Sequence, residues 1–510
     1  MRERVDRWAE EVTALARRWE ILLIVGLSAV YFLTCWRISS SRPLWNDEIF
    51  TLYLSRYDNW AGLLGWLRMA ADQQPPLFYV LTHWSLGLIG DEAQAVRVPG
   101  MVGVWAAGLG VYLFIRRWLG AVAGLCGVAM LVMARGMSYA VEARPYGLIL
   151  GVYALLLVAW QRTGEGERGR KWAIGALGVL VMALGGLHYL AASGLAPLVL
   201  VELWRWWKRG RADWAVLGAL ALGAVPLVVH LPLLLEVRRF STTFWSVPGL
   251  SDAVRIAWTT FTGPAVVPVL MVLIFAAAWG GLERVREGLG REGALVAGLL
   301  LMMFVLPPLI VKATGGFVGR YVVVLVTGMA LAAGWGAGRV AQQGGRVMAL
   351  LMAGLFLSGA VYTVWREPEG PFRPERFELS GVMAEMKGGE DQLVVDSPLR
   401  FLECWEHGNE QLRGRLRYYA SAGEARRILG FDSGEQSLMR LARTVGLPVS
   451  EWGALEGGER FLLVRSRNAG NSWLPRALSE AGARMEIAEV QTGFDLIRVT
   501  MPSDWKGKQR

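Results

Sequence analysis

Apolar runs of roughly spanning length recur along the first 365 residues, and they leave few folds open. They lie near 21–37, 95–115, 119–137, 143–161, 172–187, 190–206, 213–235, 264–282, 292–311, 321–338 and 346–365. About 20 apolar residues in a helix cross a hydrocarbon core of about 30 Å. The pattern therefore predicts a mainly α, polytopic membrane protein of about 11 transmembrane helices, some only just long enough. Residues 171–207 form one long run, divided here at His188-Tyr189 because about 40 residues make two spans. The 54% hydrophobic content and mean hydropathy of +0.36 over 510 residues fit this class and not a soluble protein. Many of the 24 Trp, including Trp36, Trp118, Trp160 and Trp207, sit at run ends, as interfacial belts require.

Charge then orients the spans. Residues 75–90 are apolar but short and carry His83 and Trp84, so they read as interfacial or re-entrant. If they do not cross, segments 1–20, 116–118, 162–171, 205–213, 283–291 and 339–346 share one side, with about 20 Lys and Arg in roughly 60 residues. The other side has about 10 in roughly 110. The positive-inside rule prefers this arrangement and makes the basic side cytoplasmic. The net charge of +10 then reflects loops facing anionic lipid, not nucleic-acid binding. Residues 1–20 are charged and amphipathic, and the first run has no small-residue cleavage site, so it reads as a retained anchor. Cys35, Cys126 and Cys404 show neither metal spacing nor a disulfide framework.

This topology makes 38–96 a large first external loop and puts 138–146, 236–263, 312–320 and everything after Trp365 on the same external side. Three segments follow: a cytoplasmic N-terminus (1–20), a transmembrane domain (21–365) and a tail (366–510). The tail opens on a linker with Pro368, Pro371 and Pro374. Short β-rich runs at 392–396, 461–464 and 494–499 alternate with helix-like stretches at 435–446 and 474–482, which predicts a small α/β domain. No glycine-rich loop follows its first strand, so nucleotide binding is unsupported. The end, from Asp504, reads as disordered.

The chemistry-bearing residues fall on the external side. Asp47 and Glu48 follow the first span directly, and carboxylates so near lipid are functional candidates. Asp47 has two readings: a general base that takes an acceptor hydroxyl proton, or the cap of a helix beginning near Ile49. Glu48 reads as its helper or as a first-turn charge. In Glu142-Ala143-Arg144-Pro145-Tyr146 an acid and a base two residues apart either face one cavity or pair at the lipid boundary. Arg97, and Arg320 with Tyr321, open external span ends, where arginine either grips a phosphate or snorkels to headgroups. Arg238 and Arg239 invite the same two readings. His188 and Tyr189 either complete a site with Asp47 and Glu142, around a divalent metal ion, or form an interfacial turn. His83 and His230 are weaker candidates still, and His407 belongs to the tail, with no partner visible in the sequence.

Taken in order, Asp47-Glu48, Gln73-Gln74-Pro75-Pro76-Leu77, Arg97-Val98-Pro99 and Glu142-Ala143-Arg144-Pro145-Tyr146 resemble the GT-C superfamily of membrane glycosyltransferases. The protein O-mannosyltransferase and lipid A aminoarabinose transferase relatives resemble it most. The resemblance covers about 20–340. It implies a polyprenyl-phosphate-linked sugar donor, a reaction on the external side, Asp47 as the catalytic aspartate and Arg97 in the donor-side cavity. Two departures stand out. Gln73-Gln74 replaces an acidic–basic pair, and Tyr146 stands where relatives tend to carry an acid, a role Glu142 would then take. Residues 236–263 are too short for the β-trefoil insert of the protein mannosyltransferases.

The resulting expectation is a glycosyltransferase of the cell inner membrane, with its N-terminus cytoplasmic and its C-terminal domain periplasmic. It would move a hexose or pentose from a polyprenyl-phosphate carrier to a hydroxyl of a lipid, glycan or protein. Asp47, Glu48 and Glu142 would serve catalysis, and Arg97, Arg144, Arg320 and Tyr321 the donor phosphate. His188, Tyr189 and Tyr146 would serve the acceptor or a metal. Two alternatives stay open: an O-antigen ligase or polymerase using diphosphate-linked donors, and a lipid or sugar transporter. A transporter would show paired broken helices in two related halves.

Overall fold

The computed structural model describes residues 11, 14, 18–134, 136–164, 166–239, 243–262, 266–280, 290–343, 345–366, 392–466, 472–490 and 494–507. The expected proline linker at 366–391 and most of the amphipathic N-terminus lie outside the described residues. The chain forms two compact units. One comprises Met1–Arg42, Gln74–Leu231 and Pro248–Phe372. The other comprises Pro43–Gln73, Pro232–Val247 and Arg373–Arg510. Nothing in the composition of 43–73 or 232–247 marks them off from the external loops to which the sequence assigns them.

In chain order the principal helices are α1 (Glu20–Ser40), α2 (Asn46–Ser55), α3 (Pro76–Leu88), α4 (Val98–Leu119), α5 (Ala121–Met133), α6 (Tyr146–Arg162), α7 (Glu167–Leu187), α8 (Ala196–Arg209), α9 (Arg291–Thr314), α10 (Val326–Gln342), α11 (Arg346–Arg366), α12 (Pro398–His407) and α13 (Ser433–Val445). Among the described residues six helices are long and apolar enough to cross a membrane: Glu20–Ser40, Glu92–Leu119, Gly169–Leu187, Arg291–Thr314, Gly319–Gln342 and Val347–Trp365. A seventh arises if Trp214–Val229 and Leu231–Arg238 make one broken span. The protein is a multi-pass membrane protein; among the described residues the other apolar runs of the eleven expected do not reach that length as single α-helices.

The reason is how the other runs divide. Run 119–137 splits between α5 and a 3-10 segment, Gly136–Val141, and run 190–206 begins as a 3-10 segment, Tyr189–Leu195, before α8. A 3-10 helix rises about 2.0 Å per residue against 1.5 Å, so Tyr189–Arg209 still measures about 35 Å. The run at 75–90 forms α3, whose 13 residues span only about 20 Å.

Glycines set the closest helix contact in the membrane unit. A Cβ at Gly103 would collide with the backbone of Gly147, one at Gly151 with the carbonyl of Gly103, and one at Gly110 would lie 2.8 Å from Ala154. Small residues at this spacing let helices approach backbone to backbone in lipid. The approach of α4 and α6 continues into the segment before α6. A Cβ on Gly100 would meet the carbonyls of Tyr139 at 2.8 Å and Glu142 at 3.0 Å. By contrast α1 turns Ile21, Leu22, Val25 and Leu33 outward, as a lipid-facing helix does.

The second unit contains a six-stranded sheet: β1 (Leu393–Val395), β2 (Leu416–Ala420), β3 (Val449–Glu451), β4 (Arg460–Ser466), β5 (Arg484–Val490) and β6 (Phe494–Thr500). Its order is β3-β2-β1-β4-β6-β5. The pairs from β3 through β4 are parallel, while β6 runs antiparallel to both β4 and β5. Central β1 is wholly buried and apolar, as a strand covered on both faces must be. The tail beyond Asp504 differs from the sequence expectation. Trp505 packs 5.6 Å from the Trp452 ring and donates Nε1 to the Leu455 carbonyl at 3.0 Å, so this part is anchored.

Two acids are sealed in this domain. Asp396 is 1% exposed, and its Oδ2 accepts the Ser466 amide at 3.1 Å. Glu435 accepts from Tyr418 and from Trp473 Nε1. Burial pushes both carboxyls up to about 7. Their neutral forms therefore favour the fold. That stability is fully present below the unfolded pKa of about 4 and is lost as pH rises through about 7. Asp396→Asn should remove one part of this loss. Amide exchange in β1 and β4 should be slower in the variant than in wild type at pH 8 and similar at pH 4, a difference of at most about 4 kcal/mol. Equal protection in both proteins at pH 8 would contradict it. In the membrane unit, Gly103→Leu should cost about 3 kcal/mol or more through overpacking. It should lower the unfolding temperature of the detergent-solubilised chain, whereas Gly26→Leu, in open space on α1, should not.

Candidate active site

Three 3-10 segments in the membrane unit, Gly136–Val141, Tyr189–Leu195 and Gly319–Leu325, each lead toward the start of a long helix. They gather most of the residues that the sequence singles out. Glu142 and Arg144 follow the first, in the tight turn before α6. His188 and Tyr189 open the second. Arg320 and Tyr321 lie in the third. Tyr153 of α6 donates to the Gly194 carbonyl at 2.7 Å, which ties the second segment to α6.

The side chains converge. Arg320 Nη1 lies 3.9 Å from Glu142 Oε1, and its guanidinium stands 5.4 Å from the Tyr146 ring centre. The His188 ring sits between Tyr146 at 5.8 Å and Tyr321 at 5.5 Å. Glu142 is 1% exposed and Arg144 5%, so this charge pattern sits in a largely water-excluded place where electrostatics is strong. His188 Nδ1 accepts the Leu190 amide at 3.1 Å. That bond puts the neutral ring's proton on Nε2 and makes His188 the cap of its 3-10 segment. Tyr189 turns elsewhere and packs edge-on against His230 at 6.0 Å.

Arg97 is fully buried. Its Nη1 donates to the carbonyls of Ser39 at 2.9 Å and Arg42 at 2.8 Å. It clasps the C-terminal end of α1, a structural task that neither the phosphate nor the headgroup reading contained. Among the described residues no group of three His, Cys, Asp or Glu side chains could hold a metal ion. The divalent ion that the sequence left open has no three-ligand protein site there. Arg239 pairs with Glu236 at 2.8 Å and is exposed, which lends nothing to a diphosphate role.

Asp47 and Glu48 belong to the second unit. Glu48 is buried, and its Oε2 accepts the Trp45 amide at 3.2 Å, reaching back across the first turn of α2. The cap position is Trp45, so the cap reading of Asp47 gives way. Asp47 stands half-buried in the first turn. Helix α12 grips this end of α2. Glu403 Oε1 accepts the Asn46 amide at 3.3 Å, His407 Nε2 bonds the Leu44 carbonyl at 2.7 Å, and Tyr53 donates to Glu406 at 2.7 Å. Arg400 neutralises Glu403 at 3.0 Å, while burial raises the Glu403 pKa. His407 thus has a partner invisible in the sequence, more than 350 residues away. Pro398 at the start of α12 and a Trp405–Phe401 stack were the only local signs of a fixed helix here.

Comparison with known proteins fits this architecture. The family model for dolichyl-phosphate-mannose-protein mannosyltransferase matches residues 73–246. ArnT from Cupriavidus metallidurans superposes in its apo state with TM-score 0.59 and 14% identity, covering 95% of this chain and 98% of that one. The same enzyme bound to undecaprenyl phosphate gives TM-score 0.58 and 14% identity over 94% and 97%. An oligosaccharyltransferase from Archaeoglobus fulgidus gives TM-score 0.44 at 9% identity, over 87% and 69%. No curated protein matches by sequence. The chain thus has the GT-C fold of polytopic membrane transferases. Residues 73–246 are similar to the mannosyltransferase family, and the fold over nearly the whole chain is similar to that of ArnT.

Arg97 yields a direct stability test. Arg97→Ala leaves two buried carbonyls without their donor, at a cost of about 2 kcal/mol or more. The variant should unfold at lower temperature in detergent and expose 36–42 to limited proteolysis. Unchanged melting and cleavage would mean that the clasp is dispensable.

Proposed function

We propose that this protein transfers a sugar from a polyprenyl-phosphate carrier to a hydroxyl acceptor on the external face of the cell inner membrane, with Asp47 as general base. The observation that carries this reading is the cluster of Glu142, Arg144, Tyr146, His188, Arg320 and Tyr321 at one end of the membrane unit. Two arginines beside two tyrosines suit a phosphodiester and the sugar it bears. Glu142 orients Arg320, and Arg144 supplies the second cation. Tyr146, Tyr321 and the Nε2 of His188 offer donors to sugar hydroxyls. Arg97 acts as a positioning residue, holding the end of α1 from which the chain runs toward Asp47.

An apolar groove of about 180 Å³ between α1, α4 and α5 suits the first part of a polyprenyl tail. Gly136 and Met137 line it, and they open the 3-10 segment that ends one residue before Glu142. Those six residues rise about 12 Å, so a carrier in the groove would bring its phosphate toward the cluster. The ArnT structure with undecaprenyl phosphate supports a carrier of this class.

In the reaction the acceptor oxygen attacks the anomeric carbon as the bond from that carbon to the phosphate oxygen breaks. The carrier phosphate leaves with the electron pair, held by Arg144 and Arg320. The acceptor proton passes to Asp47. Because the phosphate is a good leaving group, no strong general acid is needed, and a carboxylate suffices as base. The basic segments at the other helix ends support a cytoplasmic N-terminus and an external sheet domain.

The test is transfer from labelled polyprenyl-phosphate sugars in membranes carrying wild type or Asp47→Asn. Loss of the base should lower transfer about 10²–10⁴-fold at equal folded protein. Equal transfer by both would remove Asp47 from the chemistry. Transfer only from diphosphate-linked donors would replace the monophosphate reading.

A further inference from the structure

The membrane unit has a second polar feature at the opposite helix ends. Helix α6 begins at Tyr146 in the cluster and ends at Arg162, about 25 Å away. Near that far end lies a cavity of about 760 Å³, lined by the ends of α4, α6 and α8 and the starts of α7 and α9. Among the described residues its lining holds six arginines, Arg117, Arg170, Arg205, Arg209, Arg211 and Arg291, against two acids, Asp213 and Glu292.

The floor is rigidly built. Glu202 is 3% exposed and accepts both Trp160 Nε1 at 2.7 Å and Arg205 Nη1 at 2.6 Å. Arg291 lies 4.6 Å from the Trp160 ring centre and donates to the Trp160 carbonyl at 3.2 Å. Arg170 forks both oxygens of Asp213 at 2.6 and 2.7 Å. These pairs leave Glu202 and Asp213 already partnered. Arg117, Arg209 and Arg211 are exposed at the rim. Positive charge in a walled recess raises the local concentration of anions. Snorkelling arginines would splay toward separate headgroups. Here arginines from five elements face one volume, above a floor fixed by hydrogen bonds.

We propose that this cavity is a binding site for a phosphate-bearing anion, distinct from the donor site. The shared chemistry is a phosphate group met by several guanidinium forks. It has two sources, the headgroup of an anionic lipid or a soluble phosphate compound. The surroundings connect the mouth to the bilayer surface: Trp214 lines the cavity and is 70% exposed, and Trp207 is 80% exposed on α8. The site stands on its own geometry and does not depend on Asp47 or on the donor.

The experiment uses the full chain purified in detergent, with inorganic pyrophosphate as soluble probe. Nanodiscs of phosphatidylcholine, with or without phosphatidylglycerol, serve as lipid probe. Thermal unfolding is the readout. Wild type should be stabilised by at least one probe. R209E/R211E should require at least about tenfold more of it, the loss of one charge-assisted hydrogen bond. R460E/R484E, the same charge change on the exposed sheet surface, should respond as wild type. A response to pyrophosphate alone assigns a soluble ligand, and one to phosphatidylglycerol alone assigns a lipid. Both variants should melt as wild type without probe. If the double variant fails to fold, R211Q should show a partial loss. No stabilisation of wild type by either probe, or equal loss in both double variants, would overturn the proposal.

Discussion

The contact between α4 and α6 leaves no room for a side chain, and the membrane unit depends on it. Gly103, Gly147 and Gly151 lie against one another's backbones, so the two helices cannot slide or separate by a methyl group without repacking. The same contact presses Gly100 under the carbonyls of Tyr139 and Glu142. Glu142 and Arg144 are therefore held by backbone against backbone, not by long flexible side chains. A charge cluster held at a fixed place in low dielectric needs little reorganisation when a charged group arrives, which is what a transferase needs at its donor phosphate. The 3-10 segments serve the same end. Their tighter turn stops each helix short of the surface and turns polar side chains inward where a continuing α-helix would have carried them past.

In the second unit the Asp47 helix has no autonomous stability. At ten residues α2 is below the length at which helices persist alone. It is held by Glu48 reaching back within its own first turn and by Glu403 and His407 arriving from α12. The carboxylate of Glu403 meets the helix at its N-terminus, where the macrodipole favours negative charge. Asp47 sits in that same first turn, so the sheet domain has a direct part in fixing the proposed base. The parallel core of the sheet, with β1 sealed between layers, supplies the rigid mount from which α12 projects.

The sequence made the membrane class and the external cluster legible for different reasons. Long apolar runs need no partner to be recognised, because lipid imposes their length. Glu142, Arg144 and Arg320 stood out because charge beside such runs is costly. Other features were hidden because their cause is non-local. The clasp of Arg97 on α1 was hidden, since a guanidinium is the same whether it meets a phosphate or two carbonyls. Strands β2 and β3 escaped notice: Leu416-Arg417-Tyr418-Tyr419-Ala420 lacks a clean alternation, and its strand state comes from pairing with β1 and β3. The close approach of Gly103, Gly147 and Gly151 was hidden in the same way, because only the partner helix gives these glycines meaning.

The two ends of the membrane unit use arginine in opposite ways. At the cluster, Arg320 has a carboxylate and aromatic rings for neighbours, and net charge is nearly balanced before any ligand arrives. In the proposed reaction a phosphate entering there meets an Arg320 already paired with Glu142, so it is held by geometry and can depart after the sugar moves. At the far end Asp213, Glu202 and Glu292 are already engaged by Arg170, Arg205 and Arg291, and the exposed arginines at the rim add positive charge. An anion there would be retained, not turned over. Catalysis favours the first arrangement, since a carrier bound too tightly would slow its own release. The second suits a structural or regulatory anion that stays.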